Sequence, residues 1–391
     1  MRILADENMP AVNELFGDLG ADIRTLPGRT LQPADVAAAD VLLVRSVTRV
    51  DSDLLADASL QFVGSATIGT DHIDQALLSR NGIPFAYAPG CNADAVGDYV
   101  IAALCSLFES EPERLADSTL AIIGAGNVGG RLAARLRRMG LSVRVCDPPR
   151  QQREAGEGEG GEAFCSLAEA MASDIVCCHT PLVDDGPHPT KGMITETLLD
   201  HLPENAVFLN AGRGGILSAD TLARVQVHRP DIQWVLDVWD PEPNIPLSLL
   251  PGVSLATGHI AGYSAEGRVR GTWMLRQALA RALDRPLTDA HPLSLLPPAP
   301  DIAIPAAYCG AGVADPWQTL FYAVRQVYDL SRDDRRFREA MAASDHGQAF
   351  DRYRRTYPQR RELMSTRVTG DETRLTTDQR DLLAGAGFLT A

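Results

Sequence analysis

The run Thr119-Leu-Ala-Ile-Ile-Gly124-Ala-Gly126-Asn-Val-Gly129-Gly130 constrains this chain more than any other segment, because an apolar strand leads into glycines spaced G-x-G-x-x-G and then into a helix near Arg131–Met139. A strand, turn and helix of this kind form a dinucleotide pyrophosphate site in a parallel α/β sheet. Gly124 allows the tight turn, Gly126 lets backbone approach the phosphates, and Gly129 lets the helix pack closely on the strand. The helix start then turns free N–H groups and its positive dipole end toward the anion. Leu141–Cys146 reads as the next strand, and Asp147 follows Gly124 by 23 residues, close to the spacing of about 20 for a ribose-binding carboxylate. That carboxylate accepts from ribose hydroxyls and repels a 2′-phosphate, so the expected cofactor is NAD, although Arg150 stands three residues on.

A chain of 391 residues exceeds one typical core and predicts two or three domains. Short apolar runs at Arg2–Asp6, Val41–Arg45, Phe62–Gly64 and Pro84–Tyr87 alternate with helical segments, and the alternation resumes at Val207–Asn210, Trp234–Asp237 and Ser254–Thr257. The rhythm predicts an α/β fold: two Rossmann-like, doubly wound parallel-sheet domains plus a small C-terminal α+β dimerisation domain. The expected boundaries are residues 1–100 for substrate binding, completed by about 260–285, residues 101–259 for NAD binding, and residues 286–391 for dimerisation. A helix is expected over Ala95–Glu109 and an exposed loop over Gln151–Gly161. Pro286–Pro305 reads as an extended linker, and Asp351–Glu362, dense in arginine, as a solvated charged helix.

The net charge of −15 argues against a nucleic-acid surface or an anionic membrane partner. No apolar run approaches the roughly 18 residues of a membrane span, and Met1–Glu7 lacks a signal pattern, so a cytoplasmic protein is expected. Seven scattered cysteines do not make a disulfide framework, and Cys177-Cys178-His179 reads as buried strand with no metal site intended.

Three polar residues follow the later strands: Arg213 in Asn210-Ala211-Gly212-Arg213-Gly-Gly, Glu242 in Asp237-Val-Trp-Asp-Pro-Glu242, and His259 after Gly258. A guanidinium among small neighbours can grip a carboxylate at two points. A carboxylate beside an imidazole fixes its tautomer and stabilises the imidazolium, which suits the ring to take a proton from an alcohol.

At these residues the chain resembles the D-2-hydroxyacid dehydrogenase superfamily. The segments Met1–Pro10, Val44–Thr48, Ala66–His72, Ala88–Asn92, Cys146–Pro149, His259–Tyr263 and the tail ending at Arg360-Arg361-Glu362 extend the likeness over essentially the whole chain. Within the superfamily these segments look like those of the enzymes that oxidise 4-phospho-D-erythronate to 3-hydroxy-2-oxo-4-phosphooxybutanoate, with NAD, in pyridoxal 5′-phosphate (vitamin B6) biosynthesis. The resemblance implies Arg213, Glu242 and His259 as the catalytic set, with Arg213 holding the carboxylate and His259 the general base oriented by Glu242. It implies Asn127 and Val128 beside the pyrophosphate glycines, Asp147 on the ribose, Thr180 near the nicotinamide half, Asp237 on the carboxamide, Ala211, Gly212 and Arg213 as further cofactor-binding residues, and Gly262 lining the site. Ser46, Thr67 and Tyr263 would bind substrate. Arg45 is added as a phosphate ligand, with Arg360 or Arg361 reaching across a homodimer as a further candidate. Two other readings remain open: another phosphorylated 2-hydroxyacid dehydrogenase, of the phosphoglycerate type, and a non-catalytic NADH-sensing protein.

Overall fold

The computed structural model describes residues 1–155, 162–287, 289, 291–310, 315–369 and 375–390. The chain divides into two compact units, one of Met1–Asn92 with Ser264–Pro298 and one of Ala93–Tyr263 with Ala299–Ala391.

The first unit is built on five parallel strands, β1 (Arg2–Asp6), β2 (Asp22–Leu26), β3 (Val41–Val44), β4 (Phe62–Ser65) and β5 (Phe85–Tyr87), in the order β2-β1-β3-β4-β5. Strands β3 and β4 are buried along their whole length. That is why Val41-Leu-Leu-Val44 reads as a continuous apolar run and not as an alternation. The edge strand β2 is largely exposed and mixes polar with apolar residues, and it gave the sequence reading no signal. The chain returns to this unit with the helix Ala265–Ala282, whose Leu275 and Leu279 join Ile3, Val41, Leu43 and Phe62 in one cluster. Arg276 of that helix is fully buried, with Nε donating to the Leu15 carbonyl at 2.9 Å and Nη2 to Asp18 at 2.9 Å.

The second unit holds six parallel strands, β6 (Thr119–Ile123), β7 (Ser142–Cys146), β8 (Ile175–Cys178), β9 (Val207–Asn210), β10 (Gln233–Leu236) and β11 (Leu255–Ala256), ordered β11-β10-β9-β8-β6-β7. Strand order reverses between β6 and β8, and open α/β sheets bind ligands outside the carboxyl ends of the strands at such a point. Phe164 makes a one-residue parallel bridge to Val145 on the outer side of β7.

The C-terminal part of this unit contributes a two-stranded parallel pair, β12 (Ile302–Ala303) with β13 (Val368–Thr369), and the helices Pro316–Val327, Leu330–Met341, His346–Arg355 and Thr377–Ala386. Asp98 of helix Ala93–Leu107 ties it down: one oxygen accepts from Arg135 Nη2 at 2.7 Å and the other from the Leu363 N–H at 3.0 Å.

Three sequence expectations change here. Residues 151–154 belong to the helix Pro148–Glu154, started by the Asp147 cap, so the loop expected over 151–161 is shorter, and 156–161 lie outside the described residues. The linker expected over 286–305 carries a turn of 3₁₀ helix at Pro292–Leu295 and strand β12. The run Asp351–Glu362 is helical only to Arg355 and is solvated only in part: Arg352 and Arg355 are exposed, while Tyr353, Tyr357, Arg360 and Glu362 are buried. Phe350, Tyr353 and Tyr357 recur at i, i+3 and i+7, an apolar stripe that the surrounding arginines mask in composition.

Candidate active site

The glycine turn after β6 has a steric reason at each position. Gly124 takes φ +86, and a Cβ there would lie 2.8 Å from Thr180 Cγ2 and 3.0 Å from the Thr180 nitrogen. A Cβ on Gly129 would lie 2.0 Å from the Gly124 carbonyl oxygen, so helix Asn127–Arg138 can meet the turn only through glycine. Gly126 faces open space to 4 Å and caps the helix without a side-chain bond, which leaves the first N–H groups to a ligand. Asn127 beside it is exposed and Val128 half-buried.

Asp147 joins the turn to the next helix. Its Oδ2 accepts from the Ala125 N–H and its Oδ1 from the Arg150 N–H, both at 2.8 Å. Arg150 is drawn to Glu154 at 2.6 Å and to the Ala125 carbonyl at 3.2 Å. Thr180 Oγ1 and both ring nitrogens of His179 are buried without a partner at the end of β8. Burial holds His179 neutral, pushing its pKa down to about 4. Free helix N–H groups, open room at Gly126, an acid at the end of β7 and an orphaned hydroxyl at the switch point fit a dinucleotide such as NAD.

The adjacent strands β9, β10 and β11 pair Leu236 with both Asn210 and Ala256, so the loops that follow them leave one edge of the sheet side by side. Asn210 is buried and shapes the first loop, accepting from the Gly212 N–H at 3.1 Å and donating to the Arg213 carbonyl at 3.0 Å. Gly212 lies against Thr180, and Ala211 donates to the Cys178 carbonyl at 3.3 Å. Arg213 is left half-buried at the tip.

In the third loop His259 adopts φ +56 and its N–H donates to the Asp237 carbonyl at 2.6 Å. The Asp237 carboxylate, 1 % exposed, receives the N–H groups of Ile260 and Ala261 at 2.8 and 2.9 Å and the Thr257 hydroxyl at 2.7 Å. The structure thus gives Asp237 a positioning task beside the nicotinamide contact expected of it. His259 Nδ1 lies 2.8 Å from Glu242 Oε2, and Glu242 Oε1 accepts from the Trp239 N–H at 2.9 Å. An ionised carboxylate only accepts, so Nδ1 carries the hydrogen, and in the neutral ring Nε2 is then the nitrogen with the lone pair. Burial alone would raise the Glu242 carboxyl, but the His259 ring, its hydrogen bond, the Trp239 N–H and Arg354 hold it below the usual carboxylate range.

A Cβ on Gly258 would meet Phe337 at 2.8 Å and Tyr353 at 3.0 Å, so the His259 loop rests on C-terminal aromatic rings. Tyr263 packs edge-on to Tyr357, with ring centroids 5.9 Å apart, and the Arg354 guanidinium lies 5.8 Å from the Tyr263 centroid. Gly262, just before it, is half-buried. Arg360 is 6 % exposed, stacks 3.9 Å over Tyr328 and donates to the Ala261 and Ala95 carbonyls of its own chain. That burial commits it to the unit's interior. Phe337, Tyr353, Arg354 and the Asp237 clamp were not found in the sequence; the aromatic i, i+3, i+7 stripe was the one signal available.

In the first unit, Arg45 and Ser46 open the turn after β3, half-buried and exposed respectively. Thr67 Oγ1 donates to the Gly69 carbonyl at 2.8 Å, so it accepts from Ser65 Oγ at 2.7 Å, which in turn accepts from His72 Nε2 at 2.8 Å. The Thr67 hydroxyl can donate to an anion only by giving up Gly69. All seven cysteines are free thiols; burial pushes Cys177 up to about 12. Among the described residues no group of three His, Cys, Asp or Glu side chains is placed to hold a metal ion, and no helix is long and apolar enough to cross a membrane.

Residues 106–261 match the family described as D-isomer specific 2-hydroxyacid dehydrogenase, NAD binding domain, and residues 300–383 match a domain of unknown function, DUF3410. The erythronate-4-phosphate dehydrogenase of Marinobacter nauticus is 47% identical over 94% of this chain and 94% of its own. That of Stutzerimonas stutzeri is 44% identical over 96% and 97%. Among solved structures, NAD+-bound 3-phosphoglycerate dehydrogenase of Entamoeba histolytica shares the fold at a TM-score of 0.59 and 22% identity, covering 72% of this chain and 94% of that one. D-lactate dehydrogenase of Aquifex aeolicus, complexed with NAD and lactic acid, does so at 0.58 and 20%, covering 73% and 96%.

Proposed function

Since this chain belongs to the erythronate-4-phosphate dehydrogenase family of NAD-dependent D-2-hydroxyacid dehydrogenases, we propose that it oxidises 4-phospho-D-erythronate at C2 to 3-hydroxy-2-oxo-4-phosphooxybutanoate. The observation that carries the reading is the His259–Glu242 contact at 2.8 Å, which leaves Nε2 as the basic nitrogen. In this reading Nε2 takes the C2 hydroxyl proton as the carbonyl forms, and Glu242 compensates the imidazolium. NAD, when bound, supplies the acceptor for the C2 hydride. Arg213 holds the substrate carboxylate and faces the charge that builds on the C2 oxygen in the transition state. Asp147 and Thr180 serve the cofactor. Ser46, Thr67 and Tyr263 serve the substrate, with Arg45 for its phosphate. The reaction belongs, on this reading, to pyridoxal 5′-phosphate biosynthesis in the cytoplasm.

The test is NADH formation at 340 nm by the purified protein with 4-phospho-D-erythronate, run with and without a 2-oxo acid in case reduced cofactor is retained. A signal with NAD that is much weaker with NADP or with 3-phosphoglycerate is expected. A clear preference for the shorter acid overturns the substrate assignment, and tight NADH binding without turnover of any 2-hydroxy acid moves the protein to the sensor class. We also propose a homodimer, because the C-terminal region adds helices beyond two complete sheets. Light scattering should give about twice the chain mass of 42.1 kDa; a monomer contradicts it.

A further inference from the structure

The C-terminal region brings one cation to the catalytic loops that the reaction scheme leaves without a task. Arg354, on helix His346–Arg355, is half-buried, and its guanidinium faces the Tyr263 ring at 5.8 Å. Its Nε is buried without a hydrogen-bond partner, and among the described residues its side chain makes neither a hydrogen bond nor an ion pair. Arg135 and Arg360 in the same unit also leave Nε unpartnered, but each commits Nη2 to Asp98 or to backbone carbonyls. Burial works against the Arg354 charge, but Tyr263, Glu242, Asp237 and Asp351 hold the group protonated. A partly desolvated guanidinium without a bonded acceptor is costly unless an anion completes it. Its fork of donors suits a phosphate or carboxylate at two points. The helix is fixed where it stands, since Tyr353, the preceding residue, packs on Gly258 directly before His259.

We propose that Arg354 is a substrate-binding residue that grips the phosphate of the phosphorylated 2-hydroxy acid beside Tyr263, and so makes the C-terminal region part of the active site. The proposal rests on the assigned substrate class, with Arg213 occupied by the carboxylate. It gives residues 300–383 a chemical task, selection of phosphorylated over plain hydroxy acids, in addition to any role in assembly.

The experiment compares the full-length protein with Arg354→Gln and Arg354→Lys, oxidising 4-phospho-D-erythronate and D-erythronate, with NADH affinity followed by fluorescence. For Arg354→Gln, kcat/KM on the phosphorylated acid should fall about a hundredfold, chiefly through KM. Arg354→Lys should recover part of that loss, NADH affinity should stay within about threefold of wild type in both variants, and the D-erythronate rate should fall far less than the rate on the phosphorylated acid. Equal losses on both acids, or no loss on either, overturn the proposal. Calorimetric titration of inorganic phosphate into NADH-loaded protein tests the grip without the assigned substrate. Phosphate binding that is lost in Arg354→Gln supports it even if 4-phospho-D-erythronate is not turned over, and unchanged binding refutes it even if that acid is the substrate.

Discussion

His259→Gln is expected to lower kcat by roughly 10²–10⁴-fold, the usual contribution of a positioned general base. Glutamine keeps a side-chain donor for Glu242 but offers no nitrogen that takes a proton near neutral pH. The loop itself should persist, because it is held by the Asp237 carboxylate, which receives Ile260, Ala261 and Thr257, and by Tyr99, whose hydroxyl lies 2.9 Å from Thr257 Oγ1. None of these bonds uses the imidazole. NADH affinity should therefore stay near wild type, and a stopped-flow trace should show slow hydride transfer with normal cofactor binding. Wild-type turnover in this variant removes His259 from the mechanism. Loss of NADH binding in parallel with turnover makes it a residue of the cofactor site and not a base.

Gly129→Ala is the second large effect, and it acts on the cofactor side. The new Cβ would sit 2.0 Å from the Gly124 carbonyl oxygen and 2.8 Å from Ile122 Cγ2. The first neighbour is backbone of the turn itself, so relief requires the helix Asn127–Arg138 to move off β6, or the turn to open. Either displaces the N–H groups that would meet the pyrophosphate. Overpacking of this kind costs roughly 3 kcal/mol, the upper end of the ordinary range, and NADH affinity should fall by about a hundredfold or more as the helix start is displaced from the anion. Thermal melting with and without NADH measures both. A variant that melts as wild type and binds NADH as wild type would falsify the close contact between helix and turn.

The two variants fall on different sides of what a reader of the sequence can see. Gly129 announces itself, because the strand Thr119–Ile123, the three spaced glycines and Asp147 are all local in the chain, and local spacing is set by covalent geometry and secondary structure. The same holds for the buried parallel strands, whose burial on both faces turns them into runs such as Val41–Val44 and Ile175–Cys178. Edge strand β2 escaped notice because nothing covers it enough to impose an apolar pattern.

His259, Glu242 and Arg213 were legible as types of residue after strands, and their likeness to a known family named them. Their meeting was not legible. Glu242 and His259, 17 positions apart in the chain, close into a 2.8 Å contact because β10 and β11 pair in parallel and the Asp237 carboxylate folds the intervening loop back. The fate of the tail arginines was further still from the sequence. Arg354, Arg360 and Arg361 are alike in a string of letters, and charge density predicts solvent for all of them. Tertiary packing decided otherwise, because the apolar stripe Phe350, Tyr353, Tyr357 had to be buried and took its neighbours with it. It sealed Arg360 among backbone carbonyls and set Arg354 against Tyr263. The sequence alone determined the strands, the turn and the chemical kinds of side chain, since those depend on neighbours in the chain. Which cation is structural and which faces the catalytic loops depends on contacts between residues far apart in sequence, and only the folded structure supplies those.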